Sequence, residues 1–190
     1  MSYKSNKSKV FKTRKWIMAC CGFMILSAGL LYVSISSVQL MRIGYRNKVS
    51  IAIDNQLKAW IIDECQSMND IDEIIRKCND IVCRKLTFTY KNDLANGKAN
   101  CVGYAQMSAA TLNYAFKLNS LPYKAKHVYG KAYLWGMDLH PIMKSLVPDK
   151  YTSFFNDHDF VEIDCGDIII YTDSSIQDLS GCEYLRRNYK

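Results

Sequence analysis

DHDFVEIDCGDIIIYTD, residues 157–173, is the stretch on which the fold turns. Two runs rich in β-branched and aromatic residues, Asp157 to Asp164 and Asp167 to Asp173, flank Cys165-Gly166, the pattern of a β-hairpin. With Cys165-Gly166 as a two-residue loop, His158 faces Asp173, Phe160 faces Tyr171 and Glu162 faces Ile169 on one side of the pair. Val161 and Ile163 then meet Ile170 and Ile168 on the other. Facing Cβ atoms lie about 4.5–5.5 Å apart. At that separation a carboxylate can accept a hydrogen bond from one imidazole nitrogen and leave the other to take a proton. A one-residue slip would part them.

A histidine oriented by an aspartate is a general base in want of a nucleophile, and NCVGYA, residues 100–105, supplies one. Asn100 is a natural N-cap for a helix over Cys101 to Leu118, with Tyr104, Ala105, Ser108, Leu112, Ala115 and Phe116 on one face. At a helix start, the dipole and a nearby imidazolium both favour the Cys101 thiolate. The Cys101 N–H would point at an oxyanion formed beside the sulfur, and Gly103 leaves room for another segment to approach.

Asn-Cys-Val-Gly-Tyr-Ala opening a helix resembles the cysteine motif of the transglutaminase-like superfamily. His158-Asp-Phe-Val-Glu-Ile is similar to that family's histidine strand, and Asp173 falls where the family places its acid. The resemblance spans residues 70–175 and implies a papain-like core, a helix bearing the cysteine packed on an antiparallel sheet bearing histidine and aspartate. It implies acyl transfer at amides through a thioester: crosslinking, deamidation or peptide hydrolysis. Cys101 would be the nucleophile, His158 base and acid, and Asp173 the orienting carboxylate. Asp159-Phe160 stands where the family has Ala-Trp, and the acid segment lacks the family's Trp and Pro.

Upstream, Ile51, Ile53, Leu57, Trp60, Ile61 and Cys65 recur at helical spacing, and Asp70 caps a second helix with Ile71, Ile74, Ile75, Cys78, Ile81 and Val82 on its stripe. Lys85 to Tyr90 alternates as a strand, Asn92 to Lys98 is a loop, Lys124 to Leu134 is a strand, and 135–157 is a long loop-rich excursion. Helices first and an antiparallel sheet later make an α+β domain over 51–190.

The chain is 49% hydrophobic with a formal net charge of +7. Residues 1–50 carry nine basic side chains and no acidic one, whereas 51–190 carry 16 basic and 18 acidic. The charge therefore marks a location and no nucleic-acid partner. A basic tail, 1–15, precedes the uncharged run 16–41, which as a helix reaches about 39 Å against roughly 30 Å of hydrocarbon. Six basic residues before it and three after, with 42–50 as linker, make a single-pass signal-anchor with a cytoplasmic N-terminus and the domain outside. The run is longer than the apolar region of a cleaved signal peptide.

His127 and His140 have no positioned partner in the sequence. Asp164 and Asp167 suit turn chemistry, Asp157 and Asp159 point away from the His158 face, and Tyr90 suits core packing. Five further extracytoplasmic cysteines, Cys65, Cys78, Cys83, Cys165 and Cys182, allow at most two disulfides among them and assign none. No CxxC, HExxH or histidine cluster is present, so neither metal nor cofactor is expected; the partners are a peptide or protein substrate and the membrane. The rivals are an NlpC/P60-type wall-peptide amidase, whose Asp-Cys-Ser-Gly motif is missing, and an inactive peptide-binding module.

Overall fold

The computed structural model describes residues 37–46, 51–146 and 157–190. It is α+β: a curled antiparallel sheet with helices packed against it. The elements in chain order are β1 (Val38–Tyr45), α1 (Asn55–Cys65), α2 (Ile71–Lys85), β2 (Thr87–Phe88), β3 (Lys98–Ala99), α3 (Cys101–Leu118), β4 (Lys124–Leu134), β5 (Met137–Asp138), α4 (Leu139–Leu146), β6 (His158–Asp164), β7 (Ile168–Thr172), α5 (Ser174–Ser180) and β8 (Leu185–Tyr189). The main sheet runs β1-β4-β6-β7-β8 with β5 on β4, and β2 and β3 form a separate parallel pair.

Strand alternation divides the sheet into two sides. Ala125, Val161, Ile163 and Ile170 pack with Leu57, Ile61, Ile74, Ile81, Leu112 and Phe116 of the helices in the main core. On the opposite face Leu40, Val128, Ala132, Phe160, Tyr171 and Tyr184 form a smaller cluster. The helices start where their caps predict. Asp70 accepts the Asp72 and Glu73 amides ahead of α2, and Asn100 accepts those of Val102 and Gly103 ahead of α3.

The first helix begins at Asn55, capped by Asp54, and not at Ile51; Ile51 and Ile53 pack on the core from the segment before it. The Lys85–Tyr90 strand shrinks to Thr87–Phe88, which pairs with β3 and so pins the loop leading into Cys101. The excursion after Leu134 holds β5 and α4, and residues 147–156 lie outside the described ones.

The largest correction is β1. Val38 to Met41 were expected in the membrane span and Arg42 to Tyr45 in a linker, yet all eight residues form an antiparallel strand on β4. Val38 and Leu40 pack into the smaller cluster, so apolar character taken for lipid contact serves the sheet. A Cβ on Gly130 would lie 2.0 Å from the Met41 carbonyl oxygen, so only glycine lets β1 close on β4 there. The folded unit is 38–190 rather than 51–190. The rest of the expected span, 16–36, lies outside the described residues, and no helix among those described is long and apolar enough to cross a membrane.

Candidate active site

Cys101 is the first residue of α3 and His158 the first of β6, so the two meet where both elements begin. Several contacts fix the helix start. Asn100 Oδ1 takes the Val102 amide at 3.1 Å and the Gly103 amide at 3.4 Å, while Asn92 Oδ1 takes the Asn100 amide at 2.8 Å. The Cys101 amide, at the first helical position, has no intrahelical acceptor of its own. Gly103 is required here: a Cβ would lie 2.7 Å from Asn92 Oδ1 and 2.8 Å from the Ala99 Cβ.

His158 is fully buried, stacked on Phe160 with ring centroids 6.3 Å apart, and Gly130 stands opposite it on β4. Its Nε2 is hydrogen-bonded to Asp173 Oδ2. Cys101 acts on this imidazole after Asp173, and with Nε2 engaged by Asp173, Nδ1 is the nitrogen that can serve the thiol. The structure thus brings together Cys101, His158 and Asp173. Burial opposes charge on His158, but the Asp173 carboxylate, by charge and hydrogen bond, and then Cys101 push its pKa up to about 10. At neutral pH the ring is an imidazolium between a carboxylate and a sulfur.

The expected strand register is corrected by two residues. Val161 pairs with Thr172 and Glu162 with Tyr171, and the loop is Gly166-Asp167, closed by a 3.0 Å bond from the Cys165 amide to the Ile168 carbonyl. The reason lies in Gly166: with φ at +86° it takes the first loop position, where a Gly-X turn needs positive φ. A shift of two keeps each side chain on its face. His158 and Asp173 are therefore diagonal neighbours rather than directly opposed.

Asp173 ends the strand and caps α5. Its Oδ1 accepts from the Ser175 amide and hydroxyl and the Ile176 amide. Ser174 Oγ meets Ser108 Oγ of α3 at 2.6 Å, which ties the acid's helix to the cysteine's. A second thiol lies nearby: Cys83 Sγ donates to the Ser174 carbonyl at 3.3 Å, and burial, followed by Asp178 and Asp80, pushes its pKa up to about 12. Of the two sulfurs near this helix start, only Cys101 has an imidazole partner in the described structure.

His127 has a partner that the sequence did not reveal. Its Nε2 meets Asp159 Oδ1 at 2.6 Å, and Arg46 Nε donates to the same carboxylate at 2.8 Å. Arg46 also donates to Asp157 at 2.7 Å and lies over the Tyr129 ring at 4.3 Å. The guanidinium therefore grips both residues that flank His158. Burial would raise the Asp159 carboxyl, but the His127 and Arg46 bonds hold it below the usual carboxylate range. Glu162, also buried, receives Arg42 at 2.5 Å and the Tyr45 hydroxyl at 3.1 Å. The two cationic partners come from β1 (Arg42) and the residue that follows it (Arg46), and the strand character of β1 was hidden in the sequence by the apolar run before it.

Compared with protein-family models, curated proteins and solved structures, the chain has no match in any of the three. The chemistry therefore rests on the site.

The remaining expected candidates fall elsewhere. Asp164 accepts the Gly166 amide at 3.2 Å and pairs with Lys190 at 2.7 Å, a turn and an ion pair. Tyr90 is exposed rather than in the core, edge-on to Phe88. His140 lies in α4, its amide bonded to Asp138 at 2.9 Å.

Proposed function

We propose that this chain is a membrane-anchored cysteine enzyme with a transglutaminase-like, papain-like core, acting on amide bonds of a peptide or protein outside the cytoplasm. The observation that supports it most is the buried series Asp173–His158–Cys101 at the start of a capped helix. An aspartate orients the imidazole, the imidazole serves the sulfur, and the unpaired first-turn amide waits for an oxyanion.

In this reading the Cys101 thiolate attacks the substrate carbonyl carbon, and the carbonyl electrons move to oxygen, facing the Cys101 amide. As the C–N bond breaks, the His158 imidazolium gives its proton to the departing amine. The acyl group remains as a thioester. His158, now neutral, takes a proton from water or an incoming amine as that nucleophile attacks, and the thiolate leaves. Asp173 keeps the ring in place and stabilises its charged form throughout. Water yields hydrolysis, and an amine yields crosslinking.

With β1 beginning at Val38, the uncharged stretch left for an anchor is Trp16 to Ser37, about 33 Å as a helix. That is close to the thickness of the hydrocarbon core.

The test uses the full chain with casein and a biotinylated alkylamine, following both amine incorporation and peptide-bond cleavage beside the Cys101→Ala variant. Either product, lost in the variant, supports the enzyme. Neither product, in a protein whose mutant still complements function in cells, would leave a binding module.

A further inference from the structure

Trp135 and Gly136 make the two-residue turn between β4 and β5, with Leu134 paired to Met137 across it. Both turn residues have left-handed backbone, at φ +51° and +79°. A turn of that kind favours Asn-Gly or Gly-Gly, because a bulky side chain is strained at its first position. Here that position holds a tryptophan, and the fold does not bury it. Trp135 is 61% exposed and Met137 beside it 50%. Packing among the described residues therefore does not account for a tryptophan at this place, and strain kept without burial points to a function.

The strand register says where the turn stands. Leu134 pairs with Val38, the first residue of β1, so Trp135 projects past the end of the sheet at which the chain enters the fold. Immediately before Val38 lies the uncharged stretch Trp16 to Ser37, the proposed anchor. The charged residues nearest the turn in sequence are Lys131 and Asp138, and they pair with each other at 2.8 Å.

The geometry points to the Trp135-Gly136 turn as a lipid-contacting tip, which seats Trp135 and Met137 in the interfacial layer of the membrane that the anchor enters. An indole suits that layer, with an apolar body toward the acyl chains and a polar N–H toward the headgroups. With Lys131 and Asp138 paired, the contact draws on apolar and aromatic burial and not on anionic lipid. One turn alone would bind a bilayer weakly. The inference rests on the anchored reading above, because the anchor holds the tip at the surface and makes its contact intramolecular. A second point of attachment limits how the domain can turn on the membrane.

The test reconstitutes the full chain into phosphatidylcholine vesicles, with and without lipid brominated near the carboxyl end of its acyl chains, and reads tryptophan emission. The chain has three tryptophans, Trp16, Trp60 and Trp135. Trp16→Phe/Trp60→Phe leaves the tip as the sole emitter, and Trp60→Phe/Trp135→Phe leaves the residue at the start of the anchor. Emission from Trp135 should fall at least about twofold in brominated lipid, which quenches at the depth where interfacial tryptophan lies. The single Trp135→Phe variant, compared with wild type, gives the same contrast if loss of Trp60 disturbs folding. Quenching of Trp16 without Trp135 overturns the tip and leaves the anchor. Quenching of Trp135 without Trp16 overturns the anchor and supports the tip. Quenching of neither overturns both. Blue-shifted but unquenched Trp135 means that protein covers it, either residues 147–156 or a second copy of the chain, and overturns the lipid contact.

Discussion

Asp173 meets His158 on the diagonal of the β6–β7 pair, through one carboxylate oxygen, while its other oxygen caps α5. The acid is thus positioned less by the strand ladder than by the helix it starts. Its Oδ1 is occupied by the Ser175 amide at 2.8 Å, the Ser175 hydroxyl at 2.7 Å and the Ile176 amide at 3.2 Å. The carboxylate therefore cannot turn away from the imidazole without uncapping the helix.

The two duties of Asp173 separate by substitution. Asp173→Asn keeps a competent cap but loses the charge that holds the imidazolium. Turnover falls by about 100-fold or more, a loss on the scale of general acid–base catalysis, while stability drops by about 1–2 kcal/mol. Asp173→Ala loses the cap as well and leaves a buried charged ring unpaired, at a cost of about 3–5 kcal/mol. Urea denaturation of the three proteins distinguishes these costs.

His158 makes stability depend on pH in a definite direction. Its pKa is pushed up to about 10 in the fold, against about 6.5 in an unfolded chain. The folded state holds the proton more tightly, so this contribution is complete below about pH 6.5 and drains away as pH rises toward 10. The stability difference between wild type and His158→Gln should shrink over that window in urea titrations at successive pH values. A constant difference would remove the charged ring from the account.

Arg46 links the residues on either side of His158 to β1. Arg46→Ala leaves the buried Asp159 carboxylate with His127 alone. A loss of about 1–3 kcal/mol is expected at pH 7, below the full cost of breaking a buried pair because Arg46 is one-third exposed. Asp159 is held below the usual carboxylate range. Its stabilisation is therefore present above about pH 4 and is lost as pH falls through the lowered value. The penalty of Arg46→Ala should fade in acid denaturation measurements.

Gly130 tests β1. With only 2.0 Å between an added Cβ and the Met41 carbonyl oxygen, Gly130→Ala must push β1 off β4 or bend both. A loss of about 3 kcal/mol, at the upper end for overpacking, is expected in chemical denaturation. Amide exchange should rise first along Val38 to Tyr45.

What could be read from the sequence divides along physical lines. The cysteine helix was legible because its signals are local: Asn100 is a cap, and the apolar face repeats within one segment. The His158–Asp173 association was legible because the two runs are neighbours in sequence, although Gly166-Asp167 forms the turn and not the expected Cys165-Gly166. The helix after Asp173 also carries local signals, a capping aspartate at one end and Gly181 at the other, which the strand pattern before it masks. β1 was hidden because Val38 and Leu40 continue an apolar run, and hydropathy alone does not separate a sheet edge from a membrane span. The His127–Asp159–Arg46 group needed β4 and β6 in register and the residue just past β1 laid beside them, which no short stretch encodes.

The central claim is that Cys101 is a nucleophile activated by His158. The direct measurement is site-resolved alkylation of the full chain by iodoacetamide at pH 7, read by mass spectrometry, in wild type and His158→Ala. Cys101 should react at least about tenfold faster than the half-buried Cys165 and Cys182, despite being only 8% exposed, and should lose that advantage without His158. A Cys101 that reacts no faster than those thiols, or equally fast with and without the imidazole, would contradict the account.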